Sequence, residues 1–183
     1  MAAEESLSPV PVVDGAGNIA LIGFMGSGKS TVGPMLAARL GMGFVELDEV
    51  ISAGAGMSVA DIFAAVGEEG FRDLESKALE DVLREGGKVI SCGGGAVLRK
   101  GNVELLQERS RVFLLEISRR TALQRLREEH GRPLLEGSDL EERVDRLMRE
   151  RAHAYAAAAH EVIEADDASP EEIAEEIAER WRR

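Results

Sequence analysis

Gly23-Phe24-Met25-Gly26-Ser27-Gly28-Lys29-Ser30 spaces its glycines, lysine and hydroxyl in the pattern G-x-x-x-x-G-K-[ST]. Gly23, Gly26 and Gly28 let the backbone turn tightly, so successive N–H groups point inward and form, with the N-terminus of a following helix, a cradle for a β-phosphate. Lys29 then reaches the β- and γ-phosphates, Ser30 offers its hydroxyl to Mg²⁺, and Thr31 helps bind the α-phosphate. The motif identifies a nucleoside triphosphate. It leaves kinase, GTPase, ATPase and inert binder open, although no N-K-x-D guanine motif appears.

Other residues suit the acceptor side of a phosphoryl transfer. Glu46 and Asp48 are two apart, which on a strand places them on one face, with one carboxylate for the metal shell and the other for a substrate hydroxyl. Arg72 and Glu75 are three apart on a helix, so the carboxylate can hold the guanidinium and aim its fork at a ligand. Leu140, Val144, Leu147, Arg151 and Tyr155 recur at helical spacing and put Arg151 on an apolar stripe, where an arginine calls for an anionic partner. Gly93-Gly94-Gly95 admits close approach of backbone N–H groups to a ligand. Arg132 sits in a glycine-bounded loop, 128–137, from which it can close over the transferring phosphoryl. Phe63 and Phe71 suit either an apolar wall behind a substrate or the core.

The elements that must position these groups alternate strand and helix. Expected strands cover residues 18–23, 44–48, 88–92, 111–117 and, more weakly, 160–164. Expected helices cover 29–40, a short segment opened by a capping box at Ser58–Asp61, 67–85, 118–127, a long stretch from the Ser138–Glu141 box to Ala158, and a last helix capped by Ser169 with Pro170 at its first position. That alternation gives a parallel sheet covered on both faces, with Glu46 and Asp48 at a carboxyl end where open α/β sheets bind ligands. Residues 1–17, with two prolines and no periodicity, read as a flexible leader, and 18–183 as one domain.

With 183 residues, the chain can hide roughly 70% of its unfolded surface in one domain. A net charge of −12 opposes nucleic-acid binding, so an anionic ligand must be met by a local cation cluster. No apolar run reaches the length of a membrane span, and no basic signal or transit segment appears. The one cysteine, Cys92, excludes an intrachain disulfide and suits a reducing cytoplasm. It reads as a buried apolar thiol, and the scattered histidines as surface or packing residues.

Taken in order, GFMGSGKST, FVELDEV, MSVADIFAAVGEEGFRDLE, SCGGGAV, GRPLL and LMRERAHAY resemble the shikimate kinase family, and the resemblance spans nearly everything from Asn18 to Pro170. It implies a P-loop, nucleoside-monophosphate-kinase-like fold whose five-stranded parallel sheet has the order 2-3-1-4-5, with substrate-binding helices near 49–85 and a lid near 128–137. It implies transfer of the γ-phosphoryl of ATP, with Mg²⁺, to the 3-hydroxyl of shikimate in chorismate and aromatic amino acid biosynthesis. By the same resemblance Asp48 binds the substrate hydroxyls and is the candidate base. Arg72 and Arg151 clamp the carboxylate, and the 93–95 turn lines the pocket. Arg125 and Pro170 wall the adenine, and Arg132 closes the lid. Glu46 stands where the family usually has aspartate and would reach the metal through a water; Ala168 stands where the family can have arginine. The implied protein is a cytoplasmic monomer with no nucleic-acid or membrane partner. Two rivals remain: another small-molecule kinase of this fold, acting on gluconate or a nucleotide, and a P-loop binding module without catalysis.

Overall fold

The computed structural model describes residues 17–128 and 139–183. The expected lid after its first residue, with Arg132, and all but the last residue of the expected leader lie outside these. Five strands, β1 (Asn18–Ile22), β2 (Gly43–Glu46), β3 (Lys88–Ser91), β4 (Ser110–Glu116) and β5 (Glu161–Glu164), form one sheet of order β2-β3-β1-β4-β5 with every pairing parallel. The helices are α1 (Lys29–Leu40), α2 (Leu47–Ala55), α3 (Val59–Val82), α4 (Lys100–Arg109), α5 (Arg119–Glu128), α6 (Leu140–Ala158) and α7 (Pro170–Trp181), with a short 3-10 turn at Ala96–Leu98.

β1 is central because all five of its residues tolerate full burial. Its one polar member, Asn18, has its needs met at the sheet's amino end: Nδ2 donates to the Glu85 and Arg109 carbonyls and Oδ1 accepts from Lys88 N–H. Ile19, Leu21, Val89, Ile90, Val112, Phe113 and Leu115 form the fully buried middle of the core. α1 packs along β2, β3 and α7, while α4 and α6 pack on β4 and on each other. A histidine fastens the start of the β4–β5 pairing: His160 N–H donates to the Val112 carbonyl, and its Nδ1 accepts from Val112 N–H at 2.9 Å.

Several local expectations shift. Asp48 is not on a strand. β2 stops at Glu46, Leu47 is fully buried as the first residue of α2, and Asp48 and Glu49 occupy that helix's first turn, where negative charge meets the N-terminal dipole. The two helices expected at 58 and 67 are both present as the two arms of α3, separated by a kink at Gly67, whose backbone is not helical (φ 71°, ψ −176°). α4 was not foreseen. The cap of α6 is Asp139, whose side chain accepts from Glu142 N–H, one residue on from the expected box. The capping box at Ser169 and Glu172 is present as expected. Among the described residues no single helix is long and apolar enough to cross a membrane; α2 and α3 together have that length and character but bend by 91° between them.

Candidate active site

A cleft of about 430 Å³ opens at the carboxyl ends of β1, β2 and β3. Its first wall is the loop between β1 and α1. Gly23, Gly26 and Gly28 all have positive φ, and Gly28 enters α1 with no side-chain cap and no acidic residue in the first turn. The leading N–H groups of α1 therefore face the cleft without a competing carboxylate from their own helix. Lys29 folds back under the loop: its Nζ donates to the Gly23 carbonyl at 2.9 Å, the Phe24 carbonyl at 3.0 Å and Ser27 Oγ at 3.2 Å. Ser30 and Thr31 are exposed. Arg125, on α5, braces the loop from behind, donating to the Gly26 carbonyl at 2.9 Å and the Ala165 carbonyl at 3.1 Å. With Ala168 and Pro170 it lines one end of the cleft.

The opposite wall carries Glu46 and Asp48, with Ser91, Cys92, Gly93 and Gly94 as the floor. Glu46 is half-buried, and its Oε2 makes no hydrogen bond. Burial raises its pKa, reinforced by Asp48 and opposed by the Ser30 and Ser91 hydroxyls and Lys29. Burial also pushes the Cys92 thiol far up, which marks it as inert rather than nucleophilic.

Beyond the floor lies the group of charges the sequence picked out. Arg72 and Glu75 are both buried, and Nη1 of Arg72 donates to Glu75 Oε2 at 2.8 Å. Burial raises the Glu75 pKa, against the pull of Arg72. Arg151, 3% exposed, donates to the Gly94 carbonyl at 3.0 Å. Tyr155, one turn later, donates to the same oxygen at 2.6 Å. The triple glycine is what lets these groups meet. A Cβ on Gly93 would lie 2.9 Å from both Asp48 Oδ1 and Glu75 Oε1, and one on Gly95 only 2.2–2.5 Å from the Arg72 guanidinium. Phe63 and Phe71 stack at 4.5 Å, and the Arg72 guanidinium sits 5.3 Å from the Phe71 ring centre.

The structure thus brings Lys29, Ser30, Glu46, Asp48 and the 93–94 turn to one cleft, joins Arg72, Glu75 and Arg151 to that turn, and sets Arg125 and Pro170 at the other end; Arg132 lies outside the described residues. Sequence reasoning missed three supports. Tyr155 follows Arg151 by four residues, a signal that was legible. Ser91 and the ties from Arg99 to Asp73 and Glu69, which fasten the segment after the glycine turn to α3, depend on contacts across the fold. No cluster of three metal-ligating side chains occurs among the described residues. Any cation here would rely mainly on phosphate oxygens and water, as Mg²⁺ commonly does.

Comparisons with known proteins agree in kind. The family described as shikimate kinase matches residues 25–182. A shikimate kinase of Thermodesulfovibrio yellowstonii is 39% identical over 91% of this chain and 95% of that one. One from Symbiobacterium thermophilum is 45% identical over 89% and 95%. The solved structure of a shikimate kinase from Acinetobacter baumannii, in complex with shikimate, superposes with a TM-score of 0.87 at 34% identity, covering 90% of this chain and 92% of that one.

Proposed function

The chain belongs to the shikimate kinase family, and we propose that it moves the γ-phosphoryl group of ATP to the 3-hydroxyl of shikimate by the division of labour that follows. The observation that carries this reading is the meeting of two buried arginines, Arg72 and Arg151, at a glycine turn across the cleft from an uncapped helix N-terminus.

The loop amides and Lys29 hold the triphosphate. To reach it, Nζ exchanges its two carbonyl partners and Ser27 Oγ for phosphate oxygens, so the lysine is satisfied in both states. Arg72 and Arg151 take the substrate carboxylate, which fixes the ring by a group remote from the reacting hydroxyl. Asp48 orients that hydroxyl in line with the phosphoryl group. A loose transition state demands position more than a strong base. Ser30 and Glu46 would hold Mg²⁺. Glu46 Oε2, buried and without a hydrogen bond, fits a cation partner, and the ion would supply positive charge to offset that of the phosphates. Arg132 completes the shell over the phosphoryl when the lid closes, and Arg125 and Pro170 bound the adenine. The reading takes the chain to work as a monomer in the cytoplasm, consistent with one buried free thiol.

The test is ADP release with and without shikimate. Shikimate-dependent release, with Arg72→Ala raising the shikimate KM and leaving the ATP KM nearly unchanged, supports the assignment. Release driven instead by gluconate or a nucleotide acceptor overturns it, and ATP binding without acceptor-dependent release marks a non-catalytic module.

A further inference from the structure

Arg72 is held by two carboxylates of very different character. Glu75 lies fully buried behind it and takes Nη1. Glu68, whose side chain is 55% exposed, reaches back one turn and takes Nη2 at 3.3 Å through Oε1. The Arg72 Nε is buried and makes no hydrogen bond. Nε and Nη2 together form the side-on edge through which a guanidinium grips a carboxylate with two parallel bonds. One prong of that edge is therefore empty, and the other is held by a single oxygen of a solvent-facing side chain.

The remaining edges are spoken for. Nη1 is committed to Glu75, and one flat face is pressed against Gly95. A two-pronged grip on Arg72 must use Nη2, where Glu68 already engages one of the two hydrogens and places its negative charge beside the incoming one. The charge count agrees. Arg72 and Arg151 with ionised Glu68 and Glu75 sum to zero, an incoming carboxylate makes the sum −1, and withdrawal of Glu68 restores it to zero. Glu68 has solvent to turn into, its side chain being 55% exposed. Gly67 breaks the helical backbone immediately before Glu68, while Arg99 anchors Glu69 and Asp73 on the other side.

We propose that Glu68 is a specificity-determining residue: its carboxylate stands in for the substrate's on the Nε/Nη2 edge of Arg72 in the free protein, and an acid acceptor binds by displacing it. This rests on Arg72 being the clamp for the acceptor's carboxylate. Only a ligand that brings its own negative charge replaces what Arg72 gives up. A neutral polyol of the same ring size would have to leave the Glu68 contact standing or break it without return.

Calorimetric titration of the full-length protein with shikimate, without nucleotide, tests this. Glu68→Gln is expected to bind shikimate about two- to fivefold tighter, the scale of one exposed ion pair given up, with the ATP KM unchanged and the thermal midpoint of the unliganded protein lowered by about 1–4 °C. Glu68→Asp, one methylene too short, is expected to behave likewise. The gain is expected to vanish in an Arg72→Ala background, the signature of direct coupling. Unchanged or weaker binding in Glu68→Gln, with Arg72→Ala still impaired, overturns the displacement and leaves the clamp. Wild-type affinity in Glu68→Asp also overturns the displacement, because the contact would then be irrelevant. Unchanged shikimate binding in Arg72→Ala overturns the clamp itself.

Discussion

The two walls of the cleft solve opposite problems. The phosphate loop is complete in itself: Lys29 has three partners, Ser27 is buried beneath it, and Arg125 ties its Gly26 carbonyl to the chain beyond β5. The acceptor side is not. Of the five buried side-chain polar atoms that make no hydrogen bond among the described residues, four are Glu46 Oε2, Arg72 Nε, Glu75 Oε1 and Ser91 Oγ. An unmet buried polar atom costs roughly 1–3 kcal/mol. The difference teaches that the loop can be preformed because any nucleotide presents the same phosphates. The opposite wall, by contrast, holds unmet polar atoms, and the fold carries their cost.

The sharpest way to break this comparison is Lys29→Ala. It is expected to lower kcat by on the order of 10²–10³ in ADP-release assays, as removal of a charge-stabilising donor does, while circular dichroism shows an intact fold. Wild-type turnover in the folded variant would sink the phosphate-loop assignment. Next, Gly95→Ala places a methyl group within 2.5 Å of the Arg72 guanidinium, and Arg72 must move. The shikimate KM should rise about tenfold or more and the ATP KM little. An equal rise in both would mean that the two walls are not separable.

A smaller effect of opposite sign is expected from Glu46→Gln. It removes a carboxylate whose pKa is raised chiefly by burial. A raised carboxyl pKa means that the native state holds protons more tightly, so stability is lost as pH rises through the folded value. At neutral pH the amide should therefore raise the thermal midpoint by about 2–4 °C while turnover falls. A lower midpoint would show that Glu46 is a structural support.

The smallest effect belongs far from both walls. Burial lowers the pKa of His160, with Arg111 adding to the shift. The unfolded chain then binds the proton more readily, and stability should fall as pH drops from about 6.5 toward the lower folded value. Protonation also removes the acceptor that Nδ1 presents to Val112 N–H. Denaturant melts across that window, compared with His160→Phe, read it out. A pH-independent difference between the two proteins would refute the assignment, and KM should not change in either.

Much of the frame was legible. β1, β3 and β4 are short apolar runs bounded by glycine or polar residues, and α7 announces itself by Ser169-Pro170 and Glu172. Asp48 misled because Glu46-Leu47-Asp48 alternates like a strand, while the burial of Leu47 against the core decides for a helix. α4 has little apolar periodicity. Leu106 and a buried Asn102, whose Nδ2 donates to the Ala96 carbonyl, hold it in place. The Arg72–Glu75 pair could be read from its spacing. The complete burial of Glu75, and the pressing of Gly95 against Arg72, could not, since both arise where the end of β3 meets α3.

Cys92 gives the chain a clock of its own. It is the only thiol in the sequence, wholly shielded, on the cleft floor one residue before the glycine turn, and its N–H is tied to the Leu21 carbonyl. An alkylating reagent can reach it only when the floor of the cleft opens. The rate of its modification therefore reports that opening, and a ligand that rests on the floor slows the reaction according to the fraction of molecules that hold it.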